Sequence, residues 1–309
     1  MQATFRYGLP MTKVVSFATM CHMLACFVVS LSPAVCAQSD DGDAWLSPTE
    51  LRDKISKAFA PPKECRALHP NDRIWIHKDQ QAVVVDGFIA QRQAPLEMFA
   101  CPAGTKEHES VVAIFAKSRF VHAGLLAVGG KPGSPAKFEP FRPATGTTVR
   151  IYALWFDEKG EKQSTIAQKW VRKMGTKENL TSDWVFGGSG EYVDEATKER
   201  HYMADSGELV CVANFGTSTL DIVVRSDQGN DILSFDTFTE RIPKRNTPIR
   251  LVFVLSSDKP HGASPDDSEK EPEFLSQKTP DFVMNWLEAP KSSAKTETPT
   301  DIKQLKQPK

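Results

Sequence analysis

Arg73-Ile-Trp-Ile-His77, Ala82-Val-Val-Val-Asp86 and Leu96-Glu-Met-Phe-Ala100 are the runs on which the fold class turns. Each is short, rich in β-branched or aromatic residues and bounded by polar turn residues, the pattern of strands rather than amphipathic helices. Working outward, the pattern recurs at 110–115, 147–156, 182–186, 201–204, 209–215 and 249–255, with Asp157-Glu-Lys-Gly160 and Asp205-Ser-Gly207 as connecting turns. One helical period interrupts it. Between Lys117 and Val128, residues Phe120, Val121, Leu125 and Val128 share a face, and Gly129-Gly130 supplies the stop. The Pro-rich stretch from Lys131 to Pro143 reads as a loop without regular structure. The expected class is α+β: a mostly antiparallel β domain over about 64–256 with one central helix covering a sheet face, plus short N- and C-terminal helices.

The flanks differ in kind. Lys13 followed by the apolar run Val14–Leu31, a Ser32-Pro33 break and small residues at Val35 and Ala37 compose a signal peptide over 1–37, with Met11 as the expected true start and an uncleaved anchor, or a lipid anchor at Cys26 or Cys36, as the competing readings. Residues 38–63 form a polar linker and a helix opened by Ser47-Pro48-Thr49-Glu50, a hydroxyl N-cap with Pro at the first position and Glu at the third, and carrying Leu51, Ile55 and Phe59 on one stripe. Residues 257–309 are dominated by Pro, Ser, Asp, Glu and Lys and read as a largely disordered polar tail. The exception is an apolar helix near 280–288 that carries Phe282, Val283, Trp286 and Leu287 and docks on its own domain.

Composition bounds the partners. With 309 residues, 38 Lys+Arg against 39 Asp+Glu and a formal net charge of -1, no excess of charge draws the chain to nucleic acid. After signal cleavage no membrane segment remains, and Cys65, Cys101 and Cys211 are the mature thiols. Three thiols exclude a dense disulfide framework. Cys211 lies in an apolar strand, so Cys65 with Cys101 is the expected pair if a bridge forms.

Few side chains have the spacing of a reactive site. Cys101, His108 and His122, with Glu109 nearby, are the one Cys/His grouping and the candidate metal ligands, but their separations match no compact zinc motif. Ser110 with His108 or His122 and with Glu109, Asp183 or Asp205 is a formal hydrolase set that lacks a G-x-S-x-G elbow. Gly187-Gly-Ser-Gly190 lacks the Lys-Ser/Thr of a phosphate loop. Trp155, Trp170, Trp184, Tyr152 and Tyr202 are candidate groove aromatics, and Asp157 with Glu158, or Asp183 with Asp205, are candidate carboxylate pairs for glycoside hydrolysis.

Several motifs recur in a fixed order: Leu96–Ser110, Val121-His-Ala-Gly-Leu-Leu-Ala-Val-Gly129, Lys131-Pro-Gly133, Pro143-Ala-Thr-Gly146, Gln168-Lys-Trp-Val171, Asp183-Trp-Val-Phe-Gly-Gly-Ser189 and Tyr202-Met-Ala-Asp205. Together they resemble the YdjY-like domain of bacterial secreted proteins. The resemblance implies an exported domain and little chemistry. The clustered cysteines described for some relatives are absent here, since there is no C-x-x-C run, and no iron–sulfur role carries over. No cofactor is called for. The expected function is an exported binding or structural module that meets a protein or small-molecule ligand through the loop 129–143 and the segment 184–189. The alternative is a metal-dependent enzyme using Cys101, His108 and His122.

Overall fold

The computed structural model describes residues 45–226, 228, 233–263 and 271–290. The expected signal peptide with its start at Met11, most of the expected polar linker and the end of the C-terminal tail lie outside the described residues. Among the described residues no helix is long and apolar enough to cross a membrane.

The chain enters through α1, Pro48–Ala58, whose start is fixed by both halves of the capping box: the Ser47 side chain accepts from Glu50 N–H, and Glu50 Oε2 accepts from Ser47 N–H at 2.8 Å. Eleven strands of one sheet follow: β1 Arg66–Ala67, β2 Ile74–His77, β3 Ala82–Ile89, β4 Met98–Pro102, β5 Ser110–Ile114, β6 Thr148–Phe156, β7 Lys162–Ile166, β8 Trp184–Phe186, β9 Val210–Cys211, β10 Leu220–Ile222 and β11 Pro248–Ser256. Helix α2, Ser118–Ala127, lies between β5 and β6. Two short helices, α3 Glu273–Ser276 and α4 Asp281–Asn285, come last.

Eight of the strands close on themselves in the order β3-β11-β6-β8-β10-β9-β4-β5, with β5 returning to β3 through the pairs Gly87↔Ile114, Phe88↔Ala113 and Ile89↔Val112. This corrects the expected sheet in two respects. The barrel is not uniformly antiparallel, because β4–β5 and β9–β10 pair in parallel, and closure removes the open edges that a meander would leave to solvent. Helix α2 is not a central cover on a sheet face. It packs on β2 and the first half of β3, where β3 pairs with β2 (Ile74↔Val85 to His77↔Ala82) rather than with β5. Gly124 permits that approach, since a Cβ there would sit 3.1 Å from a Val83 methyl.

The change of partner along β3 pivots on Gly87, whose Cβ would collide with the Ala113 carbonyl. The Val83-Val84-Val85 run is apolar on consecutive residues because both of its faces are covered. Val83, Val85 and Ile89 join Ile151, Ile249, Leu251 and Phe253 in the inner core. Ala82, Val84 and Phe88 join an outer cluster with Leu51, Ile55 and Phe59 of α1 and with Val283, Trp286 and Leu287 around α4. Each fully buried large apolar side chain there contributes about 1.5–3 kcal/mol, which is why the apolar helix of the C-terminal segment sits on its own domain. The stretch 131–143, expected as a loop without regular structure, instead holds the hairpin Lys137–Phe138 with Phe141–Arg142 and the strand Pro132–Ser134, which pairs with Thr145–Gly146 just beyond it.

A charged cross-tie runs through the outer cluster. Asp86 and Arg250 are both fully buried, and Arg250 Nε and Nη2 donate to the two Asp86 oxygens at 2.6 and 3.0 Å. Arg73 Nε donates to Asp86 Oδ2 at 2.8 Å. The spare guanidinium donors reach the end of each terminal segment: Arg73 Nη2 to Phe59 O at 2.9 Å, Arg250 Nη2 to Ala60 O at 2.8 Å, and Arg250 Nη1 to Trp286 O.

Candidate functional site

The three candidate metal ligands fall on separate pieces of the fold. Cys101 is buried in β4 on the outer face, and burial pushes its thiol up to about 11. His108 stands in an exposed 3-10 turn, with 75% of its side chain accessible and Glu109 3.8 Å away. His122 lies on α2 against Tyr202. Among the described residues no group of three or more His, Cys, Asp or Glu is placed to hold a metal ion. Cys65, Cys101 and Cys211 are all free thiols, so the Cys65–Cys101 pairing is not formed.

The other constellations dissolve for local reasons. Ser110 is buried and its hydroxyl donates to Lys106 O at 2.7 Å, a bond that pins the short return between the parallel strands β4 and β5. Asp183 is buried beside Arg150, with Nε 2.8 Å from Oδ1, while Asp205 is taken by the side chain and backbone N–H of Arg119. Asp157 closes the 157–160 turn by accepting from the backbone N–H of Lys159 and Glu161, each at 2.9 Å, and those bonds hold its carboxyl below the usual range. Glu158, paired with Lys244 at 2.7 Å, is lowered too. A glycosidase acid must keep its proton near neutrality, so neither member of that pair qualifies. Trp170 and Trp184 are core side chains, 1% and 0% exposed, and Trp184 Nε1 donates to Cys211 O.

What the fold does assemble lies at the end of the barrel where α2 sits. The strand β8 runs into Gly187-Gly188-Ser189, where Gly188 N–H and Ser189 N–H donate to Thr219 O and Ser218 O at 3.0 and 2.9 Å. Those amides are spent on the barrel and cradle no anion. The chain then makes an exposed ribbon, Glu191–Val193 with Arg200–Tyr202, and returns so that the Tyr202 hydroxyl contacts His122 Nδ1 at 2.9 Å, Thr219 Oγ1 at 3.0 Å and Gly188 O at 3.2 Å. With Tyr202 donating to Gly188 O, His122 Nδ1–H donates to the phenol and Nε2 keeps its lone pair. Burial lowers the His122 pKa and pushes the Tyr202 phenol up to about 12, so both are neutral at pH 7. The neutral imidazole–phenol pair stands beside the Ser189 hydroxyl, with Glu191 and Asp205 close enough to act on it electrostatically, and its role at pH 7 is to position hydrogen bonds.

The loop 129–146 is laid over β8 at the same place. A Cβ at Gly146 would overlap Phe186 O, one at Gly188 would meet Pro132 at 2.7 Å, and one at Gly187 would meet Pro135 at 3.3 Å. Gly146 also takes φ 139°, and Gly188 φ 91°. The elements that meet here carry exposed apolar side chains, Leu126 on α2, Phe138 on its hairpin, and Tyr192 and Val193 on the ribbon, 46–53% accessible. His122 and Tyr202 each sit inside a motif visible in the sequence, but they are far apart along the chain and no spacing rule couples them. Only the return of the ribbon brings them together.

The family model described as the YdjY domain matches residues 74–254, which runs from β2 into β11 and so covers the barrel without α1, α3 or α4. No curated protein and no solved structure matches the chain.

Proposed function

The chain belongs to the YdjY-domain family, and from that premise we propose that it is an exported binding module whose contact surface is the α2 end of the barrel. One observation carries the reading: three segments distant in sequence, α2, 184–190 and 200–206, converge with the loop 129–146 on a hydrogen-bonded His122–Tyr202 floor, and the same elements carry the exposed apolar side chains of Leu126, Phe138, Tyr192 and Val193. Exposed apolar side chains on the elements that build a rigid polar floor are what a ligand-facing surface requires, an apolar area to desolvate and a few fixed polar groups to orient. The role of the glycines supports it too, since they let two segments pack backbone to backbone without side chains between them. Export follows from the n-region, h-region and small-residue cleavage pattern before Gln38.

Site-specific photo-crosslinking tests this in cells that express the full chain, with a photoreactive phenylalanine at 138 or 192 and, as a control, at 174, another exposed apolar position outside these elements. A discrete adduct from 138 and 192 but not 174, on protein recovered from the exported fraction, is the expected result. Uniform absence of adducts from 138 and 192 on exported protein, or retention of the protein in the cytoplasm, overturns the reading.

A further inference from the structure

We propose that a second surface, a groove at the far end of β6 from the α2 site, binds an acidic oligosaccharide. Strand β6 leaves the glycine seam at Thr148 and delivers Trp155 and Phe156 into this groove, about 25 Å away at roughly 3.3 Å per residue. The groove encloses about 560 Å³, enough for a short oligomer. Its walls carry five cations, Lys54, Arg92, Arg241, Lys244 and Arg245, against three carboxylates, Asp157, Glu158 and Glu240, with Lys244 paired to Glu158 at 2.7 Å.

Two of these cations are fixed in place by neutral acceptors. Arg241 Nη1 donates to Asn179 Oδ1 at 2.5 Å and to Lys169 O at 3.3 Å, with its guanidinium 3.6 Å from the centre of the Phe238 ring. Arg245 donates to Ala90 O at 3.1 Å and Gln91 Oε1 at 2.8 Å and lies 4.9 Å from the Trp45 ring centre. Among the described residues neither pairs with a carboxylate, so each offers an oriented positive charge to an incoming anion at little ordering cost.

The remaining wall decides what sort of anion. Trp155 packs against Trp170, with ring centres 5.2 Å apart, and gives the groove a rigid aromatic surface suited to a pyranose face. Glu158 and Glu240 line the same groove as accessible carboxylates, 78% and 69% exposed. Carboxylates repel a densely charged chain such as polyphosphate but accept hydrogen bonds from hydroxyls. Sparse negative charge separated by hydroxyl-bearing rings, as in a uronate oligomer, satisfies all three wall types.

The test uses the full chain with tetragalacturonate as probe, and maltotetraose and tetraglutamate as comparators, followed by calorimetry and tryptophan fluorescence. Saturable binding of tetragalacturonate at least about tenfold tighter than maltotetraose is expected, since one charged hydrogen bond accounts for about that factor, and tighter than tetraglutamate, which matches the charge but has no sugar ring for Trp155 and no hydroxyls for Glu158 and Glu240. Lys54→Glu, on the exposed face of α1, and Arg241→Gln should each weaken it about tenfold, with thermal melts confirming that the variants fold. Phe138→Ala and Tyr192→Ala should leave it unchanged, which separates this groove from the α2 surface. No binding of tetragalacturonate, equal binding of maltotetraose, equal binding of tetraglutamate, or insensitivity to Lys54→Glu overturns the assignment.

Discussion

Replacing Asp86 by Asn removes the one negative charge between two guanidiniums in the outer cluster. In the native chain Asp86 accepts from Arg250 at 2.6 and 3.0 Å and from Arg73 at 2.8 Å, and both Asp86 and Arg250 are fully buried. The amide keeps one acceptor, turns an NH2 toward donors, and leaves Arg250 buried without its counter-charge. Breaking a buried ion pair by altering one partner costs about 3–5 kcal/mol. At about 2–4 °C per kcal/mol for a domain of this size, the melting temperature should fall by roughly 6–20 °C. The loss should also be local before it is global. Arg73 and Arg250 hold the carbonyls of Phe59, Ala60 and Trp286, so hydrogen exchange should accelerate first in 48–60 and 281–288, while the inner strand Leu251–Phe253 stays protected. Substituting the whole triad as R73M/D86L/R250M should recover much of the lost stability, because no charge is then left desolvated. A D86N variant that melts within 2 °C of the parent with unchanged exchange in both terminal segments would refute the view that this triad ties them down.

Three further outcomes follow from single residues. Asp221 is buried with no cationic partner in its hydrogen-bond set (Asn214 Nδ2, Phe215 N–H and Ser218 Oγ), and burial raises its carboxyl to about 7. The folded chain therefore keeps a proton that the unfolded chain loses near pH 4, so this group's contribution to stability is full below about pH 4 and declines as pH rises to 7; urea midpoints across pH 4–8 should show a slope that D221N flattens, and an equal slope in both proteins would contradict it. Gly87→Ala should cost about 1–3 kcal/mol by forcing β3 off the Ala113 carbonyl at the barrel seam, and a urea midpoint equal to the parent's would show that the seam can relax. For the thiols, Cys101 and Cys211 are buried and Cys65 is half-buried with its pKa pushed up to about 12, so a chain beginning at Gln38 should release three thiols to a disulfide reagent in denaturant and none promptly when folded at pH 8; one thiol in denaturant would reveal a bridge.

The sequence was legible wherever a feature is decided by neighbours along the chain. The capping box at Ser47 and Glu50, the Asp157 turn, the stop after Val128 and the apolar face of the last helix all appear where local chemistry puts them. The strands were legible for the same reason, as runs of β-branched and aromatic residues. Their arrangement was not, because pairing is a relation between segments. The parallel step from β4 to β5 is made by a return of only a few residues, 103–109, held by Thr105 to Pro102 O at 2.6 Å and by Ser110 to Lys106 O at 2.7 Å, whereas parallel neighbours usually need a long crossover and short links suggest hairpins. Closure likewise rests on Gly87, one glycine among eighteen.

The candidate sites divide along the same line. Cys101, His108 and His122 were grouped because they are near one another in sequence, and the fold separates them onto the outer face of β4, an exposed turn and α2. His122 instead meets Tyr202, eighty residues on, and Arg241 and Arg245 meet Trp155 across a groove whose walls come from α1, β6 and the stretch before β11. In both places the barrel does what closed sheets do well: it fixes strand ends rigidly and lets the connections carry the polar and aromatic groups. A strand such as β6, buried along its middle and ending at both proposed surfaces, links the two mechanically without joining their chemistry. Substitutions at the glycine seam and in the groove should therefore add in their effects on stability and binding, unless the two surfaces engage one ligand.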